Sequence, residues 1–306
     1  MGGPSHTTAG RPVALVTAEG EDEVLAVSLP AGRVVGRVRL AGHPTTVAAG
    51  GPGPAVAVSP QAGTVTILRP RTLRPAAVLR GFRSPQIAAV APGGNWALVS
   101  DAAAGTVSAV NLDSGRIADR VAVGRGAHHL AISPDGGTAW VALGETARTI
   151  VTLDCSDMLR LRVTGRIHPP VAAHDVAFSP GGATVWVTSA AEPYVTVFDA
   201  ASGRPLARVP AGAPPQHVAF GGPGTPRAYI ASGYGSSIEM VDPGSRRILR
   251  RVPLPYGSFN LAVAGGVVVT TSLLDGRVTE LGAATLQRRM QHAVAPEARS
   301  VAIADW

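Results

Sequence analysis

GAHHLAISPDGGTAWVAL, running from Gly126 to Leu143, divides into three parts. A polar pair, His128-His129, leads into a short apolar segment, Leu130-Ala131-Ile132. The turn Ser133-Pro134-Asp135-Gly136-Gly137 follows, then a second apolar segment from Thr138 to Leu143. Proline presets φ, aspartate bonds its own backbone and glycine accepts φ > 0, so SPDGG predicts a tight hairpin between two strands. The phrase returns as QIAAVAPGGNWALVS (Gln86 to Ser100), as HDVAFSPGGATVWVTS (His174 to Ser189), and without its turn as QHVAFGGPGTPRAYIAS (Gln216 to Ser232). Such internal repetition takes precedence over any other reading of a chain.

Marking the second residue of each polar pair gives Thr46, Ile87, His129, Asp175, His217, Asn260 and Ser300, spaced by 41, 42, 46, 42, 43 and 40 residues. A four-stranded propeller blade takes about 40–50 residues, so seven marks predict seven blades. The ends fit the same scheme. Segments Val13–Thr17, Val24–Leu29 and Arg33–Leu40 lack an inner partner, while the final segment, Ser300 to Ala304, lacks its outer three. Pairing the two ends completes the seventh blade and removes an exposed sheet edge. The expectation is an all-β, seven-bladed propeller of four antiparallel strands per blade, occupying residues 11–306 as one domain behind a flexible tail, residues 1–10. Within it, Leu130 and Ile132 alternate with Ala131, a period of two that sends large and small residues to opposite faces. Trp140, Trp186 and Tyr229 recur one strand further out and read as core.

Composition agrees and excludes several chemistries. The 306 residues include 37 Gly and 26 Pro, with 45% hydrophobic and only 15% charged residues: a turn-rich globular chain. The sequence contains no lysine, which rules out Schiff-base lysine chemistry and a phosphate-binding P-loop. The net charge of +7 is carried by dispersed arginines with few aromatics among them, which argues against a nucleic-acid partner. Cys155 is the sole cysteine and forms no intramolecular disulfide. No apolar run reaches membrane-spanning length, and the N-terminus lacks the basic and apolar regions of a secretory signal, so a cytoplasmic location is expected unless a leader has been removed.

The repeats resemble the YVTN-type, YncE-like β-propellers. WVTS (Trp186 to Ser189) stands where that family writes YVTN, VTVFDAASGR (Val195 to Arg204) resembles its V-x-V-I-D-x-x-T/S-G segment, and SPDGG stands as in the family. The likeness runs from about residue 12 to the C-terminus. The tryptophan-aspartate dipeptide of the related WD40 repeat is missing. Similar propellers serve as binding proteins, lactonase-like enzymes and cofactor-bearing domains of dehydrogenases, so the resemblance implies a fold more than a function.

Propeller topology sends the starts of the inner strands, and the loops joining second to third strands, to one face around the channel mouth. Five of the eight histidines fall at this one repeat position. In the family a histidine is common at the column of His128 and His174, whereas His129, Asp175 and His217 occupy a column that usually holds a small residue. Candidate ligand-binding residues are therefore His128, His174, Gln86, Gln216, Asn260, Tyr234 and Arg299. Imidazoles and carboxylates suit a borderline divalent metal such as zinc, for which His129, Asp175 and His217 are the expected ligands. In an enzyme, His129 or His217 would act as general acid or base near pH 7, with Glu145 or Glu192 as base or further ligand. The leading expectation is a binding propeller holding a small molecule or a protein segment at its mouth. A lactone or ester hydrolase or a lyase at the same place, with or without metal, is the alternative. Ser133 and Ser179 lie on the opposite rim, no GxSxG, GxGxxG, HExxH or CxxC pattern occurs, and Cys155 has no nearby histidine in sequence.

Overall fold

The computed structural model describes residues 12–144, 148–189, 191–221 and 226–306; the expected N-terminal tail lies outside these. Seven four-stranded antiparallel sheets form the molecule. We number the blades from the one that contains both ends of the chain. Its inner strand is Ala298–Asp305, and the inner strands of blades 2 to 7 are Thr46–Ala49, Pro85–Val90, Leu130–Ile132, Val176–Phe178, His217–Phe220 and Asn260–Ala264. Each inner strand touches that of the next blade, and the contacts close into a ring. Among the described residues no helix is long and apolar enough to cross a membrane.

The closure has the expected form. Ala298–Asp305 pairs with Pro12–Ala18, with Leu15 opposite Ala302 and Val13 opposite Ala304. The Trp306 indole N–H then donates to the Gly53 carbonyl of blade 2 at 3.1 Å, and the Asp305 N–H to Gly51 O at 3.1 Å. The ring is thereby fastened twice, once within blade 1 and once to its neighbour.

Period-two alternation accounts for the packing between blades. In Thr138–Ala142 of blade 4, Ala139 and Val141 pack toward Leu98 and Val107 of blade 3, whereas Trp140 and Ala142 pack toward Phe178 and Val185 of blade 5. The large aromatics of the second strands each plug into the following blade. Trp140 meets Phe178 and Phe198 edge-on at 6.2 and 5.9 Å, Trp186 meets Phe220 at 5.5 Å, and the Tyr229 hydroxyl donates to Ala283 O at 2.6 Å. Edge-to-face contacts at such distances are favourable beyond simple burial. On the inner strand, Leu130 and Ile132 face blade 3 and Ala131 faces blade 5, the large-against-small arrangement that a crowded axis needs.

Two features go beyond the sequence reading. Every blade carries a register shift between its third and outer strands, as at Val197/Phe198 and Glu280/Leu281, and the resulting bulges add local twist. The inner strands also begin at different points of the repeat, at the marked residue in Thr46–Ala49, His217–Phe220 and Asn260–Ala264 but after it in blades 4 and 5. The inner strand of blade 4 is Leu130–Ile132, so its polar pair precedes the strand. The turn residues are structural. Asp199 and Asp242 accept from the N–H of Ser202 and Ser245 at 2.7 and 2.8 Å, and Ser133 Oγ accepts from the Thr138 N–H at 2.9 Å. Cys155 is buried beside Asp154 and Asp135, and desolvation pushes its thiol up to about 11, an unreactive state.

Candidate functional site

The polar pairs are held in place by a column of hydroxyls at the ends of the second strands. Ser100 of blade 3 accepts from the N–H of Ile87 in its own blade (3.2 Å) and donates to His128 O in the next (2.5 Å). Thr188 of blade 5 does the same for Asp175 N–H and Gln216 O, at 2.9 and 2.8 Å. Thr271 of blade 7 donates to Arg299 O at 2.6 Å. One hydroxyl thus fixes the start of two inner strands. The recurring Ser or Thr in ALVS, WVTS and VVTT was visible in the repeat, but its role emerges only from the pairing of blades.

On this frame, blades 4, 5 and 6 deliver four imidazoles to one place. Ring centroids lie 4.4 Å apart for His128 and His129, 4.5 Å for His129 and His174, 5.0 Å for His129 and His217, and 5.3 Å for His174 and His217. His129 is the hub, only 5% exposed. Its Nδ1 meets His128 Nδ1 at 2.8 Å; with His129 as the donor of that bond, its Nε2 carries the lone pair that a metal needs. His217 Nδ1 lies 3.3 Å from Asp175 Oδ2, and that carboxylate also accepts from the Val218 N–H at 3.1 Å. One ligand atom each from His129, His174 and His217 lies within 4.8 Å of the other two.

Blade 5 therefore contributes His174, the first residue of its polar pair, where the sequence pointed to Asp175. The polar pair precedes the strand, so strand alternation does not dictate which member faces the channel. Asp175 instead turns toward blade 6, where it caps a backbone N–H and orients His217. A carboxylate behind a ligating imidazole fixes its tautomer and raises its basicity.

Burial sets the charge state of the cluster. Desolvation, reinforced by His217 and Arg299, brings His128 down to about 4, and desolvation with His217 brings His174 down to about 3. His129 is pushed well below the ordinary histidine value by desolvation and by its three imidazole neighbours. These three are neutral at pH 7, with lone pairs available. The unfolded chain would take up protons near pH 6.5 that the folded one refuses, so stability is full above that pH and falls as pH drops toward 4. The melting temperature of chelator-treated protein is expected to decline steadily below about pH 6.5. His174→Gln should flatten that decline, and a wild-type melting temperature constant from pH 7 to pH 4.5 would contradict it.

The imidazoles form the buried side of a cavity of about 310 Å³. Gln86, Gln216, Asn260, Tyr234 and Arg299 also line it, as do Thr45, Thr46, Ile87, Phe259 and Leu273. The Gln216 amide is committed to backbone, accepting from Gly233 N–H and donating to Pro214 O, so it braces the loop of Tyr234. Gln86 donates to Ser84. Tyr234 forms the rim, 61% exposed, with its ring 5.0 Å from Phe259. Glu192 is not among the lining residues, and Glu145 lies outside the described residues. Of the apolar members, Ile87 and Phe259 stand at the repeat position of the polar pairs, though neither was singled out as a site residue, and Leu273 was missed, since a lone apolar letter in a strand protein reads as core.

No family model matches the chain, and no curated protein matches its sequence. Solved structures do. A functionally unknown protein from Desulfotomaculum acetoxidans superposes with a TM-score of 0.81 at 13% identity, over 95% of this chain and 98% of that one. Hydrazine synthase of Kuenenia stuttgartiensis gives 0.71 at 19% identity, over 85% and 89%. The dihydro-heme d1 dehydrogenase NirN, solved in complex with DHE, gives 0.68 at 17% identity, over 96% of this chain and 66% of that one. At these identities the likeness is one of fold.

Proposed function

We propose that the protein is a binding propeller. It holds one divalent transition metal, zinc or a similar ion, on His129, His174 and His217, and a small ligand in the cavity above it. The observation that carries this reading is the convergence of three imidazole ligand atoms within 4.8 Å at the buried side of a polar cavity. Zinc–nitrogen bonds of about 2.0–2.1 Å in a tetrahedron need ligand atoms about 3.4 Å apart, so side-chain rotations of about an ångström complete the site. Three protein ligands leave one position open toward the cavity, where a ligand atom or water would bind. A volume of about 310 Å³ is at the small end of ligand pockets, which favours a small molecule over a protein segment.

Equilibrium dialysis of untagged protein against zinc tests the reading. One zinc per chain is expected, with a rise in melting temperature that a chelator reverses. No uptake, or uptake without stabilisation, would contradict it. Asp175→Asn keeps the shape but weakens the acceptor behind His217, and a loss of about ten- to hundredfold in zinc affinity is expected. An unchanged affinity would remove Asp175 from the site.

The enzyme reading draws on the Asp175–His217 pair, an arrangement that also serves a general base. A lactone-hydrolysis assay on the zinc-loaded protein separates the two. The binding reading expects no turnover above that of free zinc.

A further inference from the structure

The walls of the cavity differ in kind, and the difference describes the ligand. Blades 4, 5 and 6 supply the neutral imidazoles. Blade 1 lies across the ring from blades 4 and 5, and it supplies Arg299 at the start of its inner strand. Among the described lining residues Arg299 is the one fixed charge, and none is acidic. The side chain is positioned from outside the cavity: Nη1 donates to Glu19 Oε2 at 2.8 Å, and Glu19 does not line the cavity. A guanidinium offers five N–H donors in a fork suited to a carboxylate, so one bond to Glu19 orients the group and leaves donors for a ligand.

The third wall is apolar. Phe259, Leu273 and Tyr234 come from the start of blade 7 and the loops beside it. The Phe259 ring lies against the backbone of Gly233, where any Cβ would overlap it, so glycine at this position is what lets the ring take its place. Tyr234 packs edge-on against the same ring. An aromatic wall of this kind, half-buried at Phe259 and exposed at Tyr234, favours a flat or compact apolar body.

We propose that the ligand is a small organic carboxylate with an apolar or aromatic body, its charge read by Arg299 and its body seated on Phe259, Tyr234 and Leu273. The inference rests on the mouth being a ligand site, and its Arg299 and Phe259 elements do not require the metal. Where the metal is bound, its open position adds positive charge on the opposite wall and so favours an anion further.

Calorimetric titration with benzoate, benzamide and acetate tests it, with and without zinc. Benzoate is expected to bind, with benzamide, its neutral counterpart, and acetate, which lacks the ring, each weaker by about tenfold. Arg299→Gln should weaken benzoate by about tenfold, leaving zinc stoichiometry and melting temperature unchanged. Arg299→Lys, which keeps the charge without the fork, should fall between wild type and Arg299→Gln. Phe259→Ala should bring benzoate to the level of acetate. Equal binding of benzoate and benzamide, an Arg299→Gln variant that binds as wild type, or no benzoate binding in either state overturns the proposal. Arg299-dependent benzoate binding by a protein that takes up no zinc would uphold this proposal and refute the metal reading. Zinc uptake without benzoate binding would do the reverse.

Discussion

A chain that stops at Glu297 is expected not to form the propeller. The missing segment supplies the whole inner strand of blade 1, and with it Val301, Ile303 and Trp306, all buried. Burying three such side chains contributes about 5–9 kcal/mol, comparable with the whole stability of an ordinary domain at about 5–15 kcal/mol. The loss is also topological. Without Ala298–Asp305 the ladder edge of Pro12–Ala18 is unpaired, the bonds from Trp306 to Gly53 and from Asp305 to Gly51 vanish, and the ring is open. Open edges of this sort invite association between chains. Circular dichroism on heating and size-exclusion chromatography provide the check. The truncated chain should show no cooperative transition and should elute as aggregate. A truncated protein that melts within a few degrees of the full chain would show that the ring does not depend on its closure.

His129→Ala is expected to abolish zinc-dependent stabilisation. His129 touches the other three imidazoles, and its loss removes one ligand and leaves His128 Nδ1 without its partner. Zinc affinity should fall by more than the ten- to hundredfold typical of changes behind the ligands. With zinc at one hundred times its dissociation constant, the wild type gains about 2.7 kcal/mol, a rise of several degrees in melting temperature for a chain of this size. The variant should show no rise at the same zinc concentration. Its zinc-free stability should drop by only about 1–3 kcal/mol, the cost of an unpartnered buried polar group. A variant that is stabilised by zinc as fully as the wild type would place the metal elsewhere.

The fold was legible because every blade solves the same packing problem with the same letters. SPDGG, its relatives and the large-small alternation of Leu130, Ala131 and Ile132 repeat because each wedge must narrow toward the axis. The bulges between third and outer strands left no such mark, since a one-residue shift near a strand end needs no special residue type. The site was legible in part. The column of the polar pairs pointed to His129 and His217, which do face each other at 5.0 Å. It pointed to Asp175 where His174 joins the group, because that choice is made in a segment before the strand, where the Val218 N–H donates to the Asp175 carboxylate. Gln216 lines the cavity as its repeat position suggested, and its amide in addition bonds two backbone groups, a bracing role that the sequence did not show. Leu273 carried no signal, because core and cavity wall use the same apolar residues, whereas Phe259 stands in the column of His128 and His174.

The tri-imidazole centre is tested most directly by diffraction from crystals of the zinc-loaded protein, with data collected on both sides of the zinc absorption edge. A single anomalous peak bounded by the imidazoles of His129, His174 and His217 is expected, with the Asp175 carboxylate on His217 and off the metal. Zinc found only at surface histidines, or no peak within the mouth, would contradict the account.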